Sequence, residues 1–348
     1  MKLLADMTNA LQDNANLTLL KSITGLKDAN QLFEFINTVC IKNFNSPAAE
    51  CLYIGFSIGA SVGLKLENGR KIFTKINKNM NNEGVANTDF NIKSLNAASQ
   101  VQDFLHRKNF PCPAVMLHPF KCNDVIVAVY EFADRGIQKD AHDPVIRREM
   151  AEKFAELIRL AEPYRELEGF KEIDGYKIKA LYPKPHNALF DFSTGGKDAE
   201  RIDEIALKSK NIVNSIDKNV VLGHSDWSMK NVRFAGNKIN MVYDWDSLSL
   251  QDEYHLLGIA AAAFTTTWDI PVKITPSQEE AFEFVAEYEK AKGKKFSRNE
   301  LLKISACTTS VMCYTARCEL SADPENVYYE GSYRQTLYEM NGENYLRI

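Results

Sequence analysis

The pattern of apolar and polar residues divides the chain into a strand-rich first part and a helix-rich second part. Residues 30–43 place apolar side chains at helical spacing, so the chain opens with helix. Short runs rich in β-branched and aromatic residues follow at 51–56 and 61–76, and the Asn68-Gly69 pair within the second run predicts a hairpin. Residues 114–133 predict two further strands.

One helix is predicted inside the strand-rich part, and several follow it. The inserted helix begins at Asp89 and ends before Pro111, since proline cannot continue a helix. Residues 148–164 carry a core-facing apolar stripe at i, i+4, i+7, i+8 and i+11 from Met150. Further helices are expected over 200–217, 252–268, 278–293 and 298–318.

Sheet first and helices second is the plan of an α+β fold with two lobes. A chain of 348 residues is longer than a single core usually grows. We expect an N-terminal helical extension over residues 1–48, a small β-rich N-lobe over 49–135 and a larger, mainly helical C-lobe over 136–348. The lobes would meet at a hinge near residues 130–136.

Composition and charge exclude several classes of protein. Hydrophobic residues make up 45% and charged residues 25% of the chain, and no apolar run is long enough to span a bilayer, which indicates a soluble protein with no membrane partner. A net charge of -4 argues against a nucleic-acid surface. Seven scattered cysteines without a C-x-x-C pair are interpreted as reduced thiols of a cytoplasmic protein. Asp6 and Asn9 interrupt any apolar signal region, so no export is expected. Nothing indicates the oligomeric state.

The stretch LGHSDWSMKNVRF, residues 222–234, concentrates the candidate chemistry. His224, Asp226 and Asn231 form H-x-D-x-x-x-x-N, and Asp244 ends the next strand, the spacing of kinase-fold phosphotransferases. A carboxylate such as Asp226 can accept the proton of a phosphoryl acceptor hydroxyl. Asn231 and Asp244 can supply the hard oxygen ligands that Mg²⁺ prefers. His224 would brace this catalytic loop by hydrogen bonding rather than react.

This interpretation requires a phosphate-covering loop between the first two strands and a lysine on the third. The segment GFSIGAS, residues 55–61, is the candidate loop. Its candidate cofactor-binding members are Ser57, Gly59 and Ser61. Alternation along the third strand places Lys71, Phe73 and Lys75 on one face. Lys75 is the predicted phosphate ligand, and Lys71 is the second candidate.

These motifs resemble the aminoglycoside phosphotransferase and choline kinase superfamily, which has a protein-kinase-like fold. The resemblance runs from about residue 50 to about residue 265 and rests on NGRKIFTK, the helix before FPCP, GHSDWSMKNVRF and VYDWDSL. It implies that Asp226 is the catalytic base and that Asn231 and Asp244 hold Mg²⁺. It also implies that the hinge backbone binds the nucleobase of ATP or GTP, through Tyr130, Glu131 and Phe132.

The implied activity is transfer of the γ-phosphate from Mg-NTP to a hydroxyl of a small molecule. Aminoglycosides, amino alcohols, sugars and hydroxy amino acids are the candidate acceptors. Cationic acceptors require carboxylates, and an acidic segment near the C-terminus either supplies them or forms a solvated surface. Its members are Glu319, Asp323, Glu325 and Glu330.

One departure from the family keeps a second function open. The family usually carries a glutamate on the helix after the lysine strand, but residues 90–110 contain none, and Gln100 or Gln102 is the candidate neutral substitute. A catalytically weak or inactive pseudokinase that binds nucleotide or a partner is therefore the alternative.

Residues beside the main motifs keep more than one interpretation. Trp227 and Trp245 are expected to pack rather than to wall the substrate site. Lys230 and Arg233 face either phosphate or solvent. Asp246 either assists the metal or caps the following helix.

Overall fold

The computed structural model describes residues 2–78, 92–173, 177–186, 190–193, 195–325 and 331–340. The helices of these ranges are α1 (Lys2–Ala10), α2 (Asn14–Thr24), α3 (Ala29–Phe44), α4 (Ile92–Arg107), α5 (Pro144–Ala161), α6 (Lys197–Asn214), α7 (Glu253–Ala263), α8 (Gln278–Lys292), α9 (Arg298–Ala322) and α10 (Tyr333–Glu339). The strands are β1 (Ala48–Phe56), β2 (Ala60–Leu66), β3 (Lys71–Lys78), β4 (Val115–Cys122), β5 (Val125–Glu131), β6 (Glu172–Ile173), β7 (Val220–His224), β8 (Val232–Ala235), β9 (Lys238–Val242) and β10 (Leu248–Asp252).

The N-lobe is built on a five-stranded antiparallel sheet of order β1-β2-β3-β5-β4. The predicted hairpin is confirmed: β2 pairs with β3, and Gly69 in the turn donates its N–H to the Leu66 carbonyl at 2.9 Å. One face of β3 is buried, and the face that carries Lys71, Phe73 and Lys75 is not, so the predicted alternation is confirmed as well.

The buried face of this sheet packs against the three N-terminal helices. Leu20 and Ile36 from these helices share one apolar cluster with Val62, Leu64 and Ile72 of the sheet. The helices therefore cover the back of the sheet and leave its Lys75 face toward the C-lobe.

The helix inserted in the N-lobe, α4, ends close to its predicted position. It runs to Arg107, ahead of the prolines, and Asp89, its predicted first residue, lies outside the described residues. Ala98 and Leu105 on its inner face join the core of the C-lobe. The helix thus packs between the two lobes.

The chain enters the C-lobe through a tight crossing at Gly136. This residue has φ +85°, and a Cβ there would lie 2.7 Å from the Phe234 carbonyl oxygen, so only glycine fits. The next residue, Ile137, exchanges two backbone hydrogen bonds with Phe234, of 3.0 and 2.7 Å. The crossing is thereby fixed to β8.

The C-lobe is a helical body that carries two small sheets. All five residues of the predicted stripe on α5 are buried in its core. The strands pair as β6-β10-β7 and β8-β9. The helix expected from residue 252 is α7, which begins at Glu253, and residues 248–252 before it form β10, antiparallel to β7, a strand that was not predicted.

The structure has the predicted α+β, two-lobed, protein-kinase-like fold, with a sheet-based N-terminal part and a helical C-terminal part. Within the described ranges, no helix is both long enough and apolar enough to cross a membrane.

Candidate active site

The loop between β7 and β8 is braced by a buried histidine. His224 is fully buried; its Nε2 lies 3.0 Å from the Tyr243 carbonyl oxygen, and its Nδ1 accepts the Asp226 N–H at 3.2 Å. Because Nδ1 accepts a hydrogen bond, these contacts place the ring hydrogen on Nε2, which donates to the Tyr243 carbonyl. His224 therefore links the Asp226 backbone to the segment before Asp244.

The side chains of Asn231 and Lys230 meet at Asp226. The residues 229–231 form a short 3₁₀ turn that brings Asn231 back to the loop. The Asn231 Nδ2 donates to the Asp226 carbonyl at 2.9 Å and to Asp226 Oδ2 at 3.0 Å. The Lys230 ammonium lies 2.9 Å from the same Oδ2. Because both contacts of Asn231 use its amide nitrogen, its amide oxygen points away from Asp226.

Asp244 follows β9 in a backbone conformation that side chains rarely adopt. Its φ of 64° and ψ of 45° lie in the left-handed region, which costs free energy for a residue other than glycine and recurs at functional sites. Ser247 Oγ donates to Asp244 Oδ2 at 2.8 Å, and the Tyr243 N–H donates to the Asn231 carbonyl at 2.8 Å. These bonds hold Asn231 and Asp244 on adjacent backbone segments, as the spacing predicts.

The structure brings Lys75 of the N-lobe to two aspartates of the C-lobe. The Lys75 ammonium lies 2.5 Å from Asp244 Oδ1 and also bonds to Asp246 Oδ1. Burial alone lowers the pKa of Lys75, but the two carboxylates outweigh it and raise the pKa well above its ordinary value. The ammonium therefore stays charged.

The two aspartates respond differently to their shared lysine. Burial alone would raise the pKa of Asp244, but the charge and hydrogen bond of Lys75 hold it well below its ordinary value. The pKa of Asp246 is raised, because burial and the Asp244 charge together outweigh Lys75. The side chain of Asp244 is also the more exposed of the two, at 32% against 8% for Asp246. Asp244 is thus the more accessible of the two carboxylates and the one available to a cation.

Asp246 pairs with Lys75, the interaction that was expected of a side chain on α4. Gln102 is buried but donates its amide to the Pro113 carbonyl at 2.8 Å, and Gln100 lies on the exposed side of α4. The expectation that either is the partner of Lys75 is therefore wrong. In the absence of a helix glutamate, the partner of Lys75 is Asp246. The sequence offered Asp246 only as a metal ligand or a helix cap.

The candidate phosphate-covering loop is short and tightly closed. Ser57 donates its N–H to the Gly59 carbonyl at 2.9 Å. A Cβ at Gly59 would lie 3.1 Å from the Ile76 carbonyl oxygen and clash with the Asn77 amide, so a side chain there would force the loop away from β3. Ser61 is the cross-strand neighbour of Lys75. These residues lie at the β1–β2 turn and the start of β2, next to Lys75 of β3.

The hinge residues donate their backbone N–H groups within the N-lobe. Glu131 donates to the Ala114 carbonyl at 2.9 Å, and Phe132 donates to the Lys71 carbonyl at 3.4 Å. The Glu131 carboxylate pairs with Arg135. Nucleobase recognition by this backbone stays a prediction. A nucleobase that bound the Phe132 N–H would compete with its long hydrogen bond to the Lys71 carbonyl.

An aromatic group on the Lys75 face of the sheet was missed by the sequence interpretation. The Phe73 ring lies 5.9 Å from the Tyr53 ring and 6.4 Å from the Phe132 ring, measured between centroids. Gly63, the cross-strand neighbour of Phe73, leaves the space that the Phe132 ring fills. Strand alternation places Phe73 beside Lys75 and could have signalled the group.

The tryptophans of the catalytic loop region are packing residues, as expected. Trp227 is 1% exposed and donates its indole N–H to the Met150 carbonyl at 3.1 Å. Trp245 is buried as well and bonds to the Val242 carbonyl.

An aromatic cluster on the C-lobe side was also missed. Tyr314 of α9 bonds through its hydroxyl to His186 Nδ1 at 2.9 Å, and its ring packs near Phe192 and Tyr182. Burial and the Lys230 ammonium lower the pKa of His186, and the Asp226 carboxylate opposes them. His186 thus shares the electrostatic environment of the catalytic loop.

The acidic segment near the C-terminus has a structural role at its first member. The Glu319 carboxylate accepts the backbone N–H groups of Tyr333 and Arg334, each at 3.0 Å, and so anchors the start of α10. Asp323 follows the last residue of α9, and Glu330 lies outside the described residues.

The residues at the site fit a magnesium ion that is shared with phosphate oxygens. Within the described part of the chain, no group of three or more His, Cys, Asp and Glu side chains is arranged to hold a metal. Mg²⁺ usually takes only one or two protein carboxylates and completes its shell with substrate phosphates and water. The ionised Asp244 and the amide oxygen of Asn231 match that donor set.

Comparison with solved structures identifies the fold as that of small-molecule phosphotransferases. The chain superposes on the amicoumacin kinase hAmiN in complex with AMP-PNP, Ca²⁺ and Ami with a TM-score of 0.61 and 10% identity, over 86% of this chain and 90% of that one. The spectinomycin phosphotransferase APH(9)-Ia in complex with ADP and spectinomycin gives a TM-score of 0.54 and 10% identity, over 90% and 98% of the two chains.

Plasmodium vivax ethanolamine kinase gives a TM-score of 0.53 and 12% identity, over 95% of this chain and 93% of that one. The chain matches no protein-family model and no curated protein. The structural likeness, at these identities, shows the fold alone.

Proposed function

We propose that the protein is a small-molecule kinase that transfers the γ-phosphate of Mg-ATP or Mg-GTP to a hydroxyl of its acceptor. The observation that carries the proposal is the meeting of Lys75 from the N-lobe with Asp244 from the C-lobe, beside a loop in which Asn231 bonds to Asp226. Nucleotides and small-molecule acceptors in the structural neighbours support it.

Each residue would have a distinct task in a direct, in-line transfer. Lys75 would leave its aspartates in part to bind the α- and β-phosphates. Asp226 would orient the acceptor hydroxyl and accept its proton. Asn231 and Asp244 would hold Mg²⁺, which when bound offsets the charge of the phosphates. Positioning and charge neutralisation would account for most of the rate.

The acceptor would reach Asp226 from the side of His186 and Tyr314. This surface combines aromatic rings with hydrogen-bonding groups, a composition suited to an amino alcohol, a sugar or an aminoglycoside.

The test is release of nucleoside diphosphate from Mg-ATP and Mg-GTP across aminoglycosides, amino alcohols, sugars and hydroxy amino acids. We expect acceptor-dependent release by the wild type and its loss in Asp226→Asn. The matched control is Asp103→Asn, which removes a carboxylate paired with Arg107 on α4. Equal release by wild type and Asp226→Asn would contradict the proposal.

A pseudokinase is the second candidate. The observation that favours it is the use of both hinge N–H groups inside the N-lobe, together with a helix that lacks the usual glutamate. Calorimetric binding of Mg-ATP combined with no release for any acceptor, in wild type and variant alike, is its expected signature.

A further inference from the structure

The catalytic loop contains a cation that the motif does not account for. We propose that Lys230 is a catalytic residue that donates a hydrogen bond to the transferring phosphoryl group. The inference rests on the proposed phosphotransferase function. It assigns a role to a position whose type and spacing in the sequence left phosphate and solvent equally open.

The position of Lys230 is fixed from both of its ends. Its backbone N–H donates to the Thr266 carbonyl at 2.9 Å, which ties the loop to the segment after α7. Its ammonium lies 2.9 Å from Asp226 Oδ2 and 5.8 Å from the ring centroid of Trp268. Trp268 is 70% exposed, so its indole ring lies beside the ammonium at the protein surface. The side chain is held at Asp226, and its 35% exposed fraction leaves it accessible to a ligand.

The Lys230 ammonium lies next to the proposed base and to a proposed metal ligand. It lies 2.9 Å from Asp226 Oδ2, and the following residue, Asn231, donates to the same oxygen at 3.0 Å. The γ-phosphoryl group must reach this place, since Asp226 would orient its acceptor and Asn231 would help to bind its metal.

A cation at this place would offset the charge that develops during the transfer. The acceptor oxygen forms a bond to the γ-phosphorus while the bond from that phosphorus to the bridging β,γ-oxygen breaks. The electron pair of the broken bond leaves with the nucleoside diphosphate, and the acceptor proton moves to Asp226. Charge is spread over the three non-bridging γ-oxygens. An ammonium has three N–H donors, so Lys230 can bond to one of these oxygens while it keeps Asp226 oriented.

The nearby cation Arg233 does not compete for this task. Its guanidinium donates to the carbonyls of Lys230 and Val232, at 3.0 and 2.9 Å, and lies 3.5 Å from Asp269. Arg233 therefore holds the backbone of the loop and is a positioning residue.

The test compares binding of Mg-ADP with binding of Mg-ADP plus aluminium fluoride, a stand-in for the transferring phosphoryl group, by titration calorimetry. Lys230→Met should bind Mg-ADP like the wild type and lose about 10- to 100-fold of the tightening caused by aluminium fluoride, the loss expected for a charge-assisted hydrogen bond. Lys230→Arg should keep part of it. The control Lys139→Met removes a lysine that bonds to Asn237 instead, and it should behave like the wild type.

The outcomes separate this inference from the function on which it rests. If aluminium fluoride strengthens Mg-ADP binding equally in the wild type and in Lys230→Met, the role of Lys230 is overturned and the kinase proposal stands. Binding of Mg-ADP without tightening in the wild type also overturns it, because no phosphoryl geometry then exists for Lys230 to recognise. A wild type that binds neither Mg-ADP nor Mg-ATP overturns the proposed function itself.

Discussion

The Lys75 ammonium and the Asp246 carboxylate form an ion pair across the two lobes, although 171 positions separate them in the chain. Both side chains are largely buried, so a partner lost from this pair leaves an uncompensated charge. The pair places Lys75 beside Asp244 without help from α4. The pair therefore orients Lys75, as a glutamate on α4 would have done.

The pH dependence of stability should expose this arrangement. In the wild type, the pKa of Asp244 lies below its ordinary 3.8, so its contribution to stability is present above that value and is lost as the pH falls. In Lys75→Met, two buried carboxylates face each other without an ammonium, which raises their pKa; stability is then lost as the pH rises.

We therefore expect Lys75→Met to lower the free energy of unfolding by about 2–4 kcal/mol near pH 7, and the difference from wild type to narrow toward about pH 4. Urea denaturation at several pH values measures this. Lys71→Met is the matched control, since Lys71 lies on the same face of β3 but at its exposed end. A difference from wild type that does not vary with pH would show that the two aspartates do not depend on Lys75.

Removal of the proposed base should separate turnover from binding. Asp226→Asn keeps the shape of the side chain and can still bond to Asn231, so we expect normal folding and unchanged affinity for Mg-ATP. Turnover should fall roughly 10²- to 10⁴-fold, because the amide cannot accept the acceptor proton. Steady-state kinetics with the acceptor found in the panel checks this, and full activity would remove Asp226 from its role.

Removal of the proposed metal ligand should act on binding instead. Asp244→Asn is expected to weaken Mg²⁺-dependent nucleotide binding roughly 10- to 100-fold. Titration of ATP with and without Mg²⁺ distinguishes the metal from other contacts. Affinity that is unchanged in the presence of Mg²⁺ would exclude Asp244 from the metal site.

The packing of Tyr53, Phe73 and Phe132 in the N-lobe should be sensitive to a methyl group added at Gly63. A Cβ at Gly63 would overlap the Phe132 ring, so Gly63→Ala is expected to displace that ring and to cost about 1–3 kcal/mol of stability. If the ring lines the nucleobase site, Mg-ATP affinity falls too. Gly195→Ala is the control, because a Cβ there meets no atom within 4 Å. Thermal melts and calorimetry report both effects, and a variant as stable as the control would contradict the packing.

The parts of the site that local pattern determines could be predicted. The spacing of Asp226, Asn231 and Asp244 is set within a single loop and hairpin, and strand alternation alone places Lys75 on one face of β3 with Lys71 and Phe73. The structure brings these four residues together. Their roles in catalysis stay predictions until the variants are measured.

The parts that depend on contacts distant in sequence could not be predicted. The pairing of Asp246 with Lys75 and of Tyr314 with His186 depends on how the lobes and helices pack, which no local periodicity encodes. The strand β10 was missed because its partner β7 lies more than twenty residues earlier, across the catalytic loop. A short strand of this kind is stabilised by its pairing rather than by its own sequence.

The fixed crossing at Gly136 has a mechanical consequence. Ile137 follows the N-lobe sheet by only six residues, yet its two backbone bonds to Phe234 attach it to β8 and hence to the larger lobe. A rotation of one lobe against the other must be taken up by the five residues between β5 and Ile137. The joint between the lobes therefore lies beside the proposed nucleobase site, so a nucleotide bound there would contact the segment that must bend.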